Sequence, residues 1–145
     1  MDSILLEDKK EVGVRVRAVL GVPEEFLSDD IISSPVFKTK AKKYLESEIE
    51  EYTDEQEDMI NVAYIYYIAY LLCPGMYARL PERMENLSTK TLLQSIDWVE
   101  KSYEMLSFCN ETIDQILEEL GDEESYYPTY IGVTDASEYP NTTNM

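Results

Sequence analysis

Between Asn61 and Pro74 the chain reads NVAYIYYIAYLLCP, a run without a single charge and with four tyrosines. It sits in an acidic protein of 145 residues, with a formal net charge of −18 and no histidine. Such a run is either a membrane span or a helix enclosed by other helices. A span needs about 20 predominantly apolar residues. The run falls short of that, is expected to stop at Pro74-Gly75, and follows the acidic DEQED. It is therefore expected to be the central helix of a soluble domain, with Ile65 and Leu71 in the core. Tyr64, Tyr66, Tyr67 and Tyr70 are too many phenols for a dry interior. Several should reach the rim or a subunit contact, where the ring is buried and the hydroxyl stays wet or bonded.

The flanking sequence supports a helical domain. Thr53-Asp54-Glu55-Gln56 fits a capping box, and its acids suit the positive end of a helix dipole. The central helix should thus run from Asp54 to Cys73. Residues 1–20 carry two periods at once. VGVRVRAVL alternates like a strand, whereas Leu5, Val12, Val16 and Val19 share a helical face. A short helix ending at Gly21, with Pro23 just beyond, fits better. FLSDDIISSP reads as a linker or one helical turn. Ser34-Pro35 reads as N-cap and first position of a helix. Phe37, Ala41, Tyr44, Leu45 and Glu48/Ile49 then recur at helical steps to about Tyr52.

After PGMYARLP, a turn between prolines, a last long helix is expected with Asn86 or Ser88 as its cap. Leu92, Ile96, Val99, Tyr103, Leu106, Asn110, Ile113, Leu117 and Leu120 follow at alternating steps of four and three, a heptad seam. Its one polar member, Asn110, is the residue type that fixes register. At about 1.5 Å per residue the helix would span on the order of 45 Å, ending at Gly121. Trp98, Tyr103 and Asn110 join the four tyrosines as candidates for core or subunit contact. The fold class is all-α, a small bundle of about four helices over residues 1–121. Residues 122–145 form an extended, acidic, tyrosine-rich tail. In it, Tyr126, Tyr127, Tyr130, Ile131, Val133 and Tyr139 are candidates for docking on a partner, by strand addition or by wrapping its surface.

No catalytic, metal or cofactor residue can be assigned. Without histidine there is no usual general base and no Ser/His/Asp or Cys/His arrangement. The five glycines form no phosphate loop, and the Glu-x-x-His pairs of helical di-metal sites cannot be made. ESEIEE and DEESYY lack the spacing of a calcium loop and read as solvated faces. Cys73 and Cys109 follow no metal spacing and read as small buried hydrophobes. The N-terminal MDSILLEDKKEVG has acids before its lysines and no apolar core, unlike a signal peptide. A non-enzymatic protein acting through contacts is expected. Charge is placed unevenly: residues 1–43 hold eight Lys/Arg against eight Asp/Glu, and residues 44–145 hold four against twenty-two. Such a surface repels nucleic acid and favours basic partners.

A short first helix closing on VLGVPEE is followed by SDDIISSPVFKTKAKKYLESEIE. Then come the uncharged helix ending AYLLCPGMYARLPE and a last helix containing SIDWVEKSYEML. This order resembles the head–tail connector (adaptor) proteins of tailed bacteriophages over roughly residues 12–120. The D-x-I-x-x-P segment, the Leu72-Cys73-Pro74…Arg79-Leu80-Pro81 turn and Ile96-Asp97-Trp98 carry the likeness. The resemblance implies a virion protein, assembled in the host cytoplasm and placed at the head–tail junction. It implies a homo-oligomeric, dodecameric ring between the portal protein and a tail or stopper protein, with DNA passing through without specific binding. No cofactor and no membrane are implied. The other reading is an acidic DNA mimic that inhibits a host protein by filling its basic groove.

Overall fold

The computed structural model describes residues 1, 3–79 and 95–124, and the described residues form helices and no strand. The double period of residues 1–20 resolves as helix. Helix α1 spans Lys9–Leu20, with the Asp8 carboxylate accepting from Lys10 N at 2.9 Å and Glu11 N at 3.3 Å. It buries Val12, Val16 and Leu20. Gly21 closes it in the left-handed conformation, φ 73°, where a side chain would be strained.

The single turn α2, Asp29–Ile32, is capped by Ser28. Helix α3, Pro35–Glu48, starts with Pro35 at its first position. It stops four residues earlier than the expected Tyr52. Ile49 leaves the helix for an extended conformation that buries its side chain in the core, while Glu50 and Glu51 stay in solvent.

The capping box forms, with Thr53 N donating to Gln56 Oε1 at 3.0 Å around a 3₁₀ turn, Asp54–Gln56. Helix α4 follows over Glu57–Leu72. Gln56 also reaches across the protein, its Nε2 donating to Ile116 O at 3.0 Å and to Glu119 Oε1 at 3.3 Å. Pro74-Gly75 does not stop the helical path. A 3₁₀ turn, Cys73–Gly75, leads straight into α5, Met76–Arg79. Pro74 cannot donate to Tyr70 O, but Cys73 N is shared between Ala69 O and Tyr70 O, so that carbonyl keeps a partner.

The continuous path Asp54–Ala78 covers 25 residues, so by length and composition it is, contrary to expectation, long and apolar enough to cross a membrane. More than half of its most apolar window, 56%, is buried inside the protein. A core helix meets the same criteria. Helix α4 packs chiefly against α6, Trp98–Glu124, and then against α3 and α1, which makes it the central helix. Ile65 is buried, but Leu71 is half-exposed, and the core position is its neighbour Leu72. The buried amide of Asn61 ties in the N-terminal segment, accepting from Leu6 N at 2.9 Å and donating to Ile4 O at 2.8 Å.

The last helix differs from expectation at both ends. It begins at Trp98, where Asp97 Oδ1 accepts from Val99 N and Glu100 N at 3.1 Å each. Ile96 lies before it, while Leu92, Asn86 and Ser88 fall outside the described residues. Nor does Gly121 end it. The helix continues to Glu124, because Gly121 stays right-handed, at a cost of about 0.5–1 kcal/mol relative to alanine. At about 1.5 Å per residue it is roughly 40 Å long.

Candidate interaction surface

Helix α6 meets the core through Trp98, Ser102, Met105, Cys109, Ile113 and Ile116, all buried. The expected seam is displaced from this stripe by one residue, about 100° of helical rotation. Of its described members only Ile113 is buried. Tyr103 is 67% exposed, Val99 58% and Leu117 41%, while Leu106 and Asn110 are half-buried. The seam is therefore real as a row but is a shoulder of the helix rather than its core face. Beyond the shoulder lies the outermost face, carrying exposed Glu100, Glu104, Glu111, Asp114 and Glu118. The helix thus presents, in angular order, a core stripe, an apolar shoulder and a carboxylate row.

The lower part of the shoulder is covered by α3. Tyr44 Oη donates to Asn110 Oδ1 at 2.5 Å, and its ring stacks on Tyr67 with centroids 4.3 Å apart and planes at 15°. Tyr70 extends the group, 5.2 Å from Tyr67 and tilted by 58°. Asn110 therefore acts as an acceptor fixed between two helices of one chain. On the opposite flank of α6, Tyr66 meets Phe108 at 5.4 Å. Among the described residues the upper part, Val99 and Tyr103, carries no such cover.

The other candidates separate cleanly. Tyr64 is enclosed, 2% exposed, and burial pushes its phenol up to about 12, helped by the charge of Glu7. Tyr66, Tyr67 and Tyr70 lie half-buried, as expected for rim phenols. Trp98 is wholly buried and belongs to the core. Tyr126, Tyr127, Tyr130, Ile131, Val133 and Tyr139 lie outside the described residues. Two arrangements had no warning in the sequence. One is the buried Arg17, whose Nη1 donates to Asp29 Oδ1 at 2.7 Å and to Leu27 O at 3.1 Å. The other is the Tyr77 hydroxyl, which donates to Ile96 O at 2.8 Å at the entry to α6. The described surface also carries two shallow grooves. One of about 240 Å³ is lined by Arg15, Ala18, Val19, Val62, Ile65 and Tyr66. The other, of about 380 Å³, lies between the N-terminal segment, α3 and Tyr64.

Both cysteines are buried and unbridged. Burial pushes the Cys109 thiol up to about 12, with a further push from Glu48, and the Cys73 thiol up to about 11. The folded chain therefore holds these protons, and that of Tyr64, more tightly than the unfolded chain does. Stability from these groups is complete below the ordinary values of 9.0 and 10.0 and is lost as pH rises through about 11 to 12. Urea midpoints should hold steady near neutrality and fall between pH 9 and 12, and thiol reagents should label the native protein far more slowly than the unfolded one. Fast labelling of the native protein would contradict the buried placement.

Among the described residues no group of three or more His, Cys, Asp or Glu could hold a metal ion. What the arrangement offers chemically is contact area: aromatic rings with free edges, an apolar shoulder and a carboxylate row. No family model matches this sequence, and neither a curated protein nor a solved structure matches it.

Proposed function

We propose that the chain is a structural, non-catalytic subunit of the head–tail connector of a tailed bacteriophage, a ring between the portal and the tail or stopper. The observation that carries this reading is the upper shoulder of α6. Val99 and Tyr103 stand exposed side by side, an apolar contact that a subunit can offer to a neighbour. The order of sequence segments that resembles the connector family supports the same reading. So does the acidic balance after residue 43, since a carboxylate-lined ring lets DNA slide through without adhering. Residues 1–121 serve as the helical body and residues 122–145 as the arm that docks on the portal. The protein belongs at the virion's head–tail junction after assembly in the host cytoplasm, with no membrane involved.

The test is sedimentation of the native protein from its source lysate, then imaging of the fraction that holds it. Travel with megadalton particles and a ring at a capsid vertex sustain the reading; a small species bound to one basic host protein removes it. Deleting residues 125–145 should leave the melting curve unchanged and weaken portal binding. Undiminished binding would rule out the docking arm.

One observation favours the DNA-mimic alternative. Glu100, Glu104, Glu111 and Glu118 stand exposed along one line, a single-sign row that a basic groove can accept, though at roughly 6 to 10 Å it is sparser than the about 3.4 Å per strand of duplex phosphates. A mimic's binding should fall steeply with salt, and a shallow salt dependence excludes it.

A further inference from the structure

The shoulder of α6 calls for a partner with an apolar contact bordered by positive charge, and the same chain carries such a surface elsewhere. Helix α6 holds nine carboxylates against the single Lys101. Helix α3 holds Lys38, Lys40, Lys42 and Lys43, with its two acids, Glu46 and Glu48, confined to the last turn. Its outward face carries exposed Lys40 and Lys43 one and two turns after Val36, which is 57% exposed. Within one chain α3 touches α6 low on the shoulder, where Tyr44, one turn after Lys40 on the same row, donates to Asn110, while Val99 and Tyr103 higher up stay exposed.

We infer that the occupant of the α6 shoulder is a second copy of this chain. The outward face of its α3, Val36 with Lys40 and Lys43, lies against Val99, Tyr103 and Leu106, and the lysines face the carboxylate row. The inference rests on the ring-subunit reading and names the contact that joins neighbours. Joined head to tail, the contact is heterologous, and a pair of copies keeps one free α3 face and one free α6 shoulder. Such a contact closes into a ring when the rotation between copies allows. Opposite charge at the rim sets orientation and register, while the apolar centre supplies the area removed from water. It also explains how copies with a net charge of −18 approach at all, because the chain's bases are gathered in its first 43 residues.

Two full-length charge-reversed variants test this. One is Lys40→Glu/Lys43→Glu and the other Glu100→Lys/Glu104→Lys, all at exposed positions. Both should fold with melts close to wild type. In analytical ultracentrifugation the wild type should self-associate, each variant alone should stay monomeric, and an equimolar mixture should regain assembly, since every contact then pairs opposite charges. A mixture that stays monomeric while wild type associates overturns the inference, as does a wild type that is monomeric at every concentration. Assembly of wild type and mixture that stops at a dimer keeps the contact and removes the ring, so the two ideas fail separately. Tyr103→Ser supplies a control independent of charge. It should weaken association without lowering the melting temperature; a lower melting temperature in the monomer means that the shoulder is covered within its own chain, which overturns the inference.

Discussion

Replacing Trp98 by alanine is expected to remove about 3–5 kcal/mol of stability, a large part of the ~5–15 kcal/mol that holds a domain of this size. The indole is fully buried at the first residue of α6, where this helix packs on the Cys73–Gly75 turn. Truncation there leaves a cavity between two stiff elements that cannot easily collapse. The backbone entry to α6 is also pinned at this point, with the Tyr77 hydroxyl donating to Ile96 O and accepting from Trp98 N at 3.3 Å. In urea titration the midpoint should drop with little change of slope. Trp98→Phe should lose far less, because it keeps an aromatic ring and removes an indole N–H that finds no partner among the described residues. An alanine variant with a wild-type midpoint would take Trp98 out of the core and return it to the contact surfaces.

The elements that the sequence announced correctly are those decided within a few residues. Thr53 and Gln56 form their capping box because the two groups lie three residues apart and need nothing else. Gly21 ends α1 because only glycine takes φ 73° without strain. Pro74-Gly75 misled for the complementary reason. Proline marks a stop only if its missing donor orphans a carbonyl, and here Cys73 N serves Tyr70 O instead. The early end of α3 at Glu48 is likewise a tertiary decision, taken where burying Ile49 in an extended conformation wins over another helical turn.

The seam on α6 shows how a pattern can be legible and still be assigned to the wrong face. Val99, Tyr103, Leu106, Asn110, Ile113 and Leu117 form one row, and Trp98, Ser102, Met105, Cys109, Ile113 and Ile116 form the row that reaches the core; each has one polar member and the two are about equally hydrophobic. Packing against α4 takes the row that holds Trp98, Met105 and Ile116 and leaves the other as the shoulder. Periodicity cannot choose between stripes one residue apart. The mistake has functional content, because a stripe hydrophobic enough to look like core, yet exposed, is what a contact surface requires. The sequence asked only that several of the four α4 tyrosines reach the rim; the structure encloses Tyr64 and leaves Tyr66, Tyr67 and Tyr70 half-buried, a choice that the sequence did not make.

Arg17 gives the second large effect, and it was illegible because VRVRAV does not say which arginine turns inward. Its side chain is 9% exposed and that of Asp29 23%, so the pair is mostly removed from water. Asp29→Ala leaves the guanidinium with only Leu27 O and should cost about 2–4 kcal/mol, toward the low side of the ~3–5 kcal/mol for a fully enclosed pair because water still reaches Asp29. Gly13 makes the geometry testable by a change of sign. A Cβ at that position would overlap Asp29 Oδ1, with Asp29 Cγ next at 2.8 Å and Arg17 Nη1 at 3.2 Å. Alanine in mid-helix is worth about 0.5–1 kcal/mol over glycine. In the wild-type background Gly13→Ala should nevertheless destabilise, since the displaced carboxylate gives up its bond to Arg17. In the Asp29→Ala background the obstruction is gone, so the same substitution should stabilise by the helical preference. A double-mutant cycle of urea midpoints reads this directly. If Gly13→Ala stabilises both backgrounds, Asp29 does not sit over Gly13, and the joint between α1 and α2 is not built on this pair.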